Sequence, residues 1–202
     1  MAEGHVRESE GGSAETGDES PDRQTTVLVV DDDSEIRESF TVYLEPSYQV
    51  RTGADLAEAR RQLDDEVDIA LIERQLPDGT GDEFLAEVRS RNLDCQVALV
   101  TSVDPDFGIV EIDCDDYLVK PVEESDLVET VERLEMINEY SEKQRRLSSL
   151  RVKRNVLEVE KSPEQLAENE EFQGLEREID ALETELDELE SEFDDQLGYD
   201  EL

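Results

Sequence analysis

The sequence predicts an α/β fold: a five-stranded, doubly wound parallel sheet followed by an α-helical hairpin or coiled coil. Three observations carry this expectation. Five short apolar runs alternate with segments whose apolar residues recur at helical spacing, the pattern of βα units. Beyond Pro121 the pattern turns helical throughout. From Phe172 the apolar residues recur in alternating steps of three and four, which is a heptad seam.

Residues 1–24 hold four glycines, no aromatic residue and almost no apolar one, so a disordered acidic tail is expected. TVLVVD at 26–31 is a short apolar run and reads as a buried strand. Ser34 is a candidate N-cap for a helix carrying Ile36, Phe40, Tyr43 and Leu44, which ends near Pro46. YQVRT at 48–52 is the second strand, DLAEARRQL at 55–63 the second helix, and VDIALIE at 67–73 the third strand. The loop RQLPDGTG follows, then a helix with Phe84, Leu85 and Val88. QVALVTS at 96–102 is the fourth strand. Asp104-Pro105 pairs an N-cap with an N1 proline and opens a short helix. DYLVK at 116–120 is the fifth strand, ended by Pro121.

A helix starting near Glu124 meets neither Pro nor Gly before Lys161, a run of 38 residues, or ~57 Å. Leu127, Val131 and Leu134 place its start against the sheet. Ser162-Pro163-Glu164-Gln165 then supplies an N-cap, an N1 proline and a glutamine at N3, a capping-box signature. The seam that follows runs from Phe172 through Leu175, Ile179, Leu182, Leu186 and Leu189 to Phe193. Residues 143–154 carry six basic residues and no acid, whereas residues 170–195 carry thirteen acids and one Arg. Lys143, Arg146, Lys153 and Arg154 flank a stripe of Leu147, Leu150 and Leu157. That stripe is expected to fold back antiparallel onto the acidic seam, turning between Ser162 and Asn169, because two acidic helices would repel each other. The expected division is a tail at 1–24, an α/β domain at 25–139, a helical domain at 140–197 and a tail at 198–202.

Charge narrows the chemistry. The chain has 58 Asp plus Glu and 19 Lys plus Arg, a formal net charge of −39. The acids are spread along the chain: 7 in residues 1–24, 31 in 25–140 and 20 in 141–202. A confined acidic tail would be an interaction arm, but acid everywhere repels itself unless concentrated salt screens it. The pattern therefore points to a salt-in extreme halophile, and it excludes binding of DNA or anionic lipid by overall charge. No apolar run approaches the ~18 residues of a membrane span, and no signal-peptide pattern is seen, so a cytoplasmic protein without membrane contact is expected. Cys95 and Cys114 lack CxxC spacing and read as reduced thiols. His5 is the only histidine and lies in the polar tail. That argues against Ser-His-Asp or Cys-His catalysis and against a His-ligated zinc.

In doubly wound sheets, ligands sit outside the carboxyl ends of the strands. Here the first strand ends in Asp31-Asp32-Asp33, the third in Glu73, the fourth in Thr101 and the fifth in Lys120-Pro121. Carboxylates of this kind suit Mg²⁺, and a hydroxyl with an ammonium suits a phosphoryl group.

VLVVDDD, LIERQLPDGTG, LVTS and DYLVKPV, in this order and spacing, resemble the receiver domain of two-component response regulators, a flavodoxin-like fold, over residues 25–139. The resemblance implies an acid pocket of Asp31, Asp32, Glu73 and Gln75 for Mg²⁺, phosphoryl contacts from Thr101 and Lys120, an aromatic switch at Tyr117 and a cis bond before Pro121. It also implies a histidine kinase or other signalling protein as partner and a possible homodimer. One residue departs from the pattern. Four residues before the loop proline the family has the aspartate that accepts phosphate, and here Glu73 stands there, with Asp78 beyond the proline. Its extra methylene would push the carboxylate ~1–1.5 Å into the pocket, a misplacement that can cost ~10²-fold in rate. Glu73 is therefore read as a phosphoacceptor position that is not phosphorylated, with Mg²⁺ binding weakened and a pairing with Lys120 available instead.

RVKRNVLEVEKSPEQLAENEEFQGLEREIDALETELDEL resembles the HalX domain that follows receiver domains in haloarchaeal regulators. This implies a transcriptional regulator and, through the family alone, DNA as a partner, since no helix-turn-helix signature is visible. The alternative is a phosphorylation-independent protein-interaction adaptor. A minor alternative is a Mg²⁺-dependent phosphatase using Asp31 and Asp33 of VVDDDSE; Glu35 stands where that chemistry wants a threonine. The main reading is not an enzyme.

Overall fold

The structure, a computed structural model, describes residues 23–102 and 112–197. The expected tails, apart from residues 23 and 24, and the short helix at Asp104-Pro105 lie outside the described residues. In chain order the elements are β1 (Thr26–Val30), α1 (Ser34–Leu44), β2 (Gln49–Gly53), α2 (Leu56–Gln62), β3 (Ile69–Glu73), β4 (Gln75–Leu76), β5 (Gly79–Thr80), α3 (Gly81–Ser90), β6 (Gln96–Thr101) and β7 (Asp116–Val119). Three helices follow: α4 (Glu124–Glu160), α5 (Pro163–Ala167) and α6 (Glu170–Leu197).

The main sheet has the order β2-β1-β3-β6-β7, with every pairing parallel. Alternation along each strand sends residues to opposite faces. Val27, Val29, Ile69, Leu71, Ala98 and Val100 pack beneath α1 and α4 with Phe40, Leu44, Leu127, Val131 and Leu134. Leu28, Val30, Ala70, Ile72, Val97 and Leu99 face α2 and α3, meeting Leu56, Ala59, Phe84 and Val88. Both faces of the central strands β1, β3 and β6 are covered, which is why these read as nearly unbroken apolar runs, whereas the edge strands β2 and β7 are only partly buried.

Three details differ from the sequence reading. The N-cap of α1 is Asp33, whose side chain accepts from Glu35 N at 2.9 Å, and Ser34 is the first helical residue. The loop after β3 contains the antiparallel ladder β4–β5. The helix opened by the capping box of Ser162 and Gln165 is only the five-residue α5; α6 starts afresh where Asn169 accepts from Phe172 N at 2.7 Å.

The helix α4 runs unbroken for 37 residues, so one rod belongs to the sheet domain at its start and to the hairpin at its end. Its second half packs antiparallel on α6. Leu147 and Leu150 meet Ile179 and Leu186, with Tyr140, Leu175 and Leu182 at the margin. Leu157 is half-buried. Lys143 pairs with Glu185 at 2.5 Å, Arg146 with Glu178 at 2.6 Å and Arg151 with Glu183 at 2.8 Å. Exposed pairs of this kind contribute only ~0.2–1 kcal/mol each. The apolar seam therefore holds the hairpin, and the charges select its partner. Among the described residues no helix is long and apolar enough to cross a membrane.

Candidate functional site at the carboxyl edge of the sheet

The connections from β1 and β3 leave the sheet in opposite directions, which opens a crevice at the carboxyl ends of the strands. Asp31 follows β1 and is buried. Its Oδ1 accepts from Asp33 N at 2.9 Å, and its backbone carbonyl accepts from the Arg37 guanidinium. Glu73 closes β3 and is also buried; its Oε1 accepts from Gln75 N at 3.2 Å. The Lys120 ammonium lies between them, donating to Asp31 Oδ2 and, at 2.6 Å, to Glu73 Oε2. Burial alone would lower the lysine's pKa, but the two carboxylates outweigh it and hold the ammonium above its ordinary value.

The remaining strand-end residues surround this bridge. Thr101 is buried at the end of β6, and its carbonyl accepts from Lys120 N at 2.8 Å. The Lys120–Pro121 peptide is cis. Asp32 is exposed and Gln75 lies in β4 with its surface exposed. Tyr117 is half-buried on β7 and packs against the cluster beneath α2 and α3. The structure thus brings Asp31, Glu73, Thr101 and Lys120 together and leaves Asp32 and Gln75 at the rim.

Several residues shape the site in roles that the sequence did not signal. Arg74 sits between Asp82 and Tyr117. Burial would lower its pKa, yet the Asp82 charge and the Tyr117 hydrogen bond raise it. Asp78, set aside as an acceptor, caps α2 from outside the helix, accepting from Leu56 N at 2.8 Å and Ala57 N at 3.0 Å. Gly81 lets α3 approach β3: a Cβ there would lie 3.0 Å from the Glu73 carbonyl oxygen. Asp33, the second acid of the phosphatase alternative, is held as the cap of α1.

The donor set has the chemistry of a hard-cation site, all carboxylate and carbonyl oxygen. Its arrangement does not match that chemistry. Each carboxylate oxygen of Asp31 and Glu73 already accepts a hydrogen bond. Among the described residues no three His, Cys, Asp or Glu side chains gather around one point. A divalent ion would have to take the place of the ammonium.

A family model described as the response regulator receiver domain matches residues 27–132, more than half of the chain. The chain belongs to the response regulator receiver family. A second model, the HalX domain, matches residues 136–202. Among curated relatives, a protein of Haloferax volcanii named "Putative transcriptional regulator" is 47% identical over 120 residues, covering 57% of this chain and 21% of its own length. A cyclic di-GMP phosphodiesterase of Thermotoga maritima is 35% identical over 100 residues, 48% of this chain and 27% of that protein. The chain therefore spans about a quarter of these two curated relatives. Among solved structures, a CheY-like receiver domain protein from Methanospirillum hungatei superposes with a TM-score of 0.52 at 29% identity, over 56% of this chain and 95% of that one.

Proposed function

We propose that this chain is a response regulator of two-component signalling, with a transcriptional output, whose receiver does not take up phosphate at Glu73. The observation that carries this is the Lys120 ammonium bridging Asp31 and Glu73 inside a buried pocket. A glutamate at the acceptor position already reaches the lysine that would otherwise meet a phosphoryl oxygen, so its carboxylate lies where the incoming group would need to be. In this reading Asp31, Asp32, Glu73 and Gln75 form the acid pocket, and Mg²⁺ is held weakly because it must displace the Lys120 ammonium. Thr101 and Lys120 are the phosphoryl-contacting pair, Tyr117 is the switch, and a histidine kinase or another signalling protein is the partner. The test is labelling with acetyl phosphate or a kinase in molar KCl with Mg²⁺. Little or no label on the wild type, and clear label on Glu73→Asp, is expected. Robust wild-type labelling mapped to Glu73 would overturn the reading.

A second reading, a phosphorylation-independent adaptor that binds proteins and not DNA, is favoured by one observation. In the basic stretch 143–154, Lys143, Arg146 and Arg151 are paired with acids of α6. That reduces the positive surface left for phosphate. A gel shift with genomic fragments at high salt separates the two. Binding lost on neutralising Arg151, Lys153 and Arg154 supports the transcriptional output, and absence of any shift supports the adaptor.

A further inference from the structure

The second half of α4 has two apolar faces, and α6 covers only one of them. Among the described residues five large hydrophobic side chains are exposed, and three of these are Val152, Val156 and Val159, at 62%, 57% and 82%. Their spacing of four and three residues puts them on one narrow stripe, opposite Leu147, Leu150 and Leu157. Valine is a poor choice for a solvated helical surface, since β-branching restricts its side chain there. In a chain that surfaces itself almost everywhere with acid, a valine stripe calls for a partner.

The charges beside the stripe identify one. At 100° per residue, Arg151 and Glu158 lie on one flank and Lys153 and Glu160 on the other. Each flank therefore runs from positive to negative along the helix. We propose that this face binds the same face of a second copy of the chain, antiparallel, about a twofold axis between Asn155 and Val156. In that arrangement Val152 meets Val159 of the second copy. Equivalent flanks face each other across an antiparallel pair, so Arg151 meets Glu158 and Lys153 meets Glu160, each contact occurring twice. A parallel, in-register pair would instead set Arg151 beside Lys153 and Glu158 beside Glu160, which repels. The contact is isologous and closes as a dimer.

Arg151 also holds Glu183 of its own chain, and Lys153 has no ion-pair partner among the described residues. A stripe of three valines falls well short of the ~1,200–2,000 Å² buried by stable interfaces. The dimer is therefore weak and concentration-dependent, and it needs salt to screen the charge of −39 on each copy. The axis lies near the hairpin tip, so the two sheets end up at opposite ends of the dimer with their carboxyl-edge sites unobstructed.

Sedimentation equilibrium of the full chain in 2–3 M KCl tests this, with circular dichroism confirming that each variant keeps its helices. The wild type is expected to dimerise with rising concentration, and Val156→Lys to weaken the dimer at least tenfold. Arg151→Glu with Lys153→Glu, and separately Glu158→Lys with Glu160→Lys, should each weaken it, while mixing the two variants should restore it. In a background without Cys95 and Cys114, Val152→Cys mixed with Val159→Cys should cross-link, and Val152→Cys alone should not. A wild type that stays monomeric to millimolar concentration, a dimer unaffected by Val156→Lys, or cross-linking only between two copies of Val152→Cys would overturn the proposal.

Discussion

Glu73 and Lys120 are joined by a 2.6 Å ion pair whose side chains are only 8% and 11% exposed, and Asp31, at 2%, shares the same ammonium. One cation thus serves two carboxylates that water barely reaches. Breaking such a group by removing one member leaves charge buried without compensation, at a typical cost of ~3–5 kcal/mol. Lys120→Met should lower stability by about that amount in chemical denaturation, and Lys120→Met combined with Glu73→Gln should recover part of it. An additive double mutant would mean that the two side chains do not interact energetically.

The same lysine sets a pH dependence. Burial opposes its charge, but Asp31 and Glu73 raise its folded pKa above the unfolded value. A raised lysine contributes stability that is fully present below the ordinary lysine value and is lost as pH rises through the folded one. Denaturation midpoints followed from pH 8 into the alkaline range should therefore fall in the wild type and fall less steeply in Lys120→Met. Parallel curves would contradict the assignment.

Gly81 ties β3 to α3. An added Cβ would sit 3.0 Å from both the Glu73 carbonyl oxygen and Leu99 Cδ2, and 3.2 Å from Arg74 Cα. Two of these neighbours are backbone and cannot swing away. Gly81→Ala should cost about 1–3 kcal/mol, the usual scale of overpacking. It should also disturb the carboxyl end of β3, which chemical shifts of Glu73 and Arg74 would report.

The two thiols should differ in reactivity. Cys95 is fully buried, and burial, the dominant cause, pushes its pKa up to about 12, so almost no thiolate forms near neutral pH. Cys114 is raised for the same first reason but is only partly buried. Alkylation of the native protein at pH 8 should modify Cys114 first and leave Cys95 intact until unfolding. Equal rates would show that the interior near β6 opens readily.

Much of this architecture was legible because its signals are local. The apolar runs of β1, β3 and β6 mark strands buried on both faces, and ligands in such a sheet sit at the carboxyl ends of the strands whatever the rest of the sequence. The hairpin was legible because charge sign and heptad spacing agree along tens of residues. What escaped depends on contacts between distant segments or on very short elements. Asp78 capping α2 is a hydrogen bond across 22 residues. The β4–β5 ladder has two residues per strand, too few for any periodicity. Asp33 and Ser34 are both competent caps, and Asp31 accepting from Asp33 N decides between them. The pairing of Glu73 with Lys120 follows from the strand ends, but the sharing of that lysine with Asp31 is visible only once the order β1-β3-β6-β7 is assembled.

Salt dependence follows from charge and helix together. The formal charge is −39, and the helical half contributes thirteen acids in residues 170–195 alone. Its compensating pairs, such as Arg146–Glu178 and Arg151–Glu183, are exposed and individually weak. Cohesion of α4 on α6 therefore rests on a narrow apolar seam centred on Ile179, which is 1% exposed, and Leu150, at 4%. Diluting KCl from 1 M to 0.1 M lengthens screening from ~3 to ~10 Å, far enough for charges on successive helical turns to act on one another. Repulsion along α6 then competes with the seam, whereas the sheet domain keeps two full apolar layers. Melting should split on dilution, with helicity lost first from the hairpin and the sheet core unfolding at higher temperature. Ile179→Ala, expected to cost about 2–5 kcal/mol, should move the first transition at every salt concentration and leave the second in place. A single transition with an unchanged midpoint from 1 M to 0.1 M KCl would show that neither the acidic surface nor the narrow seam governs stability.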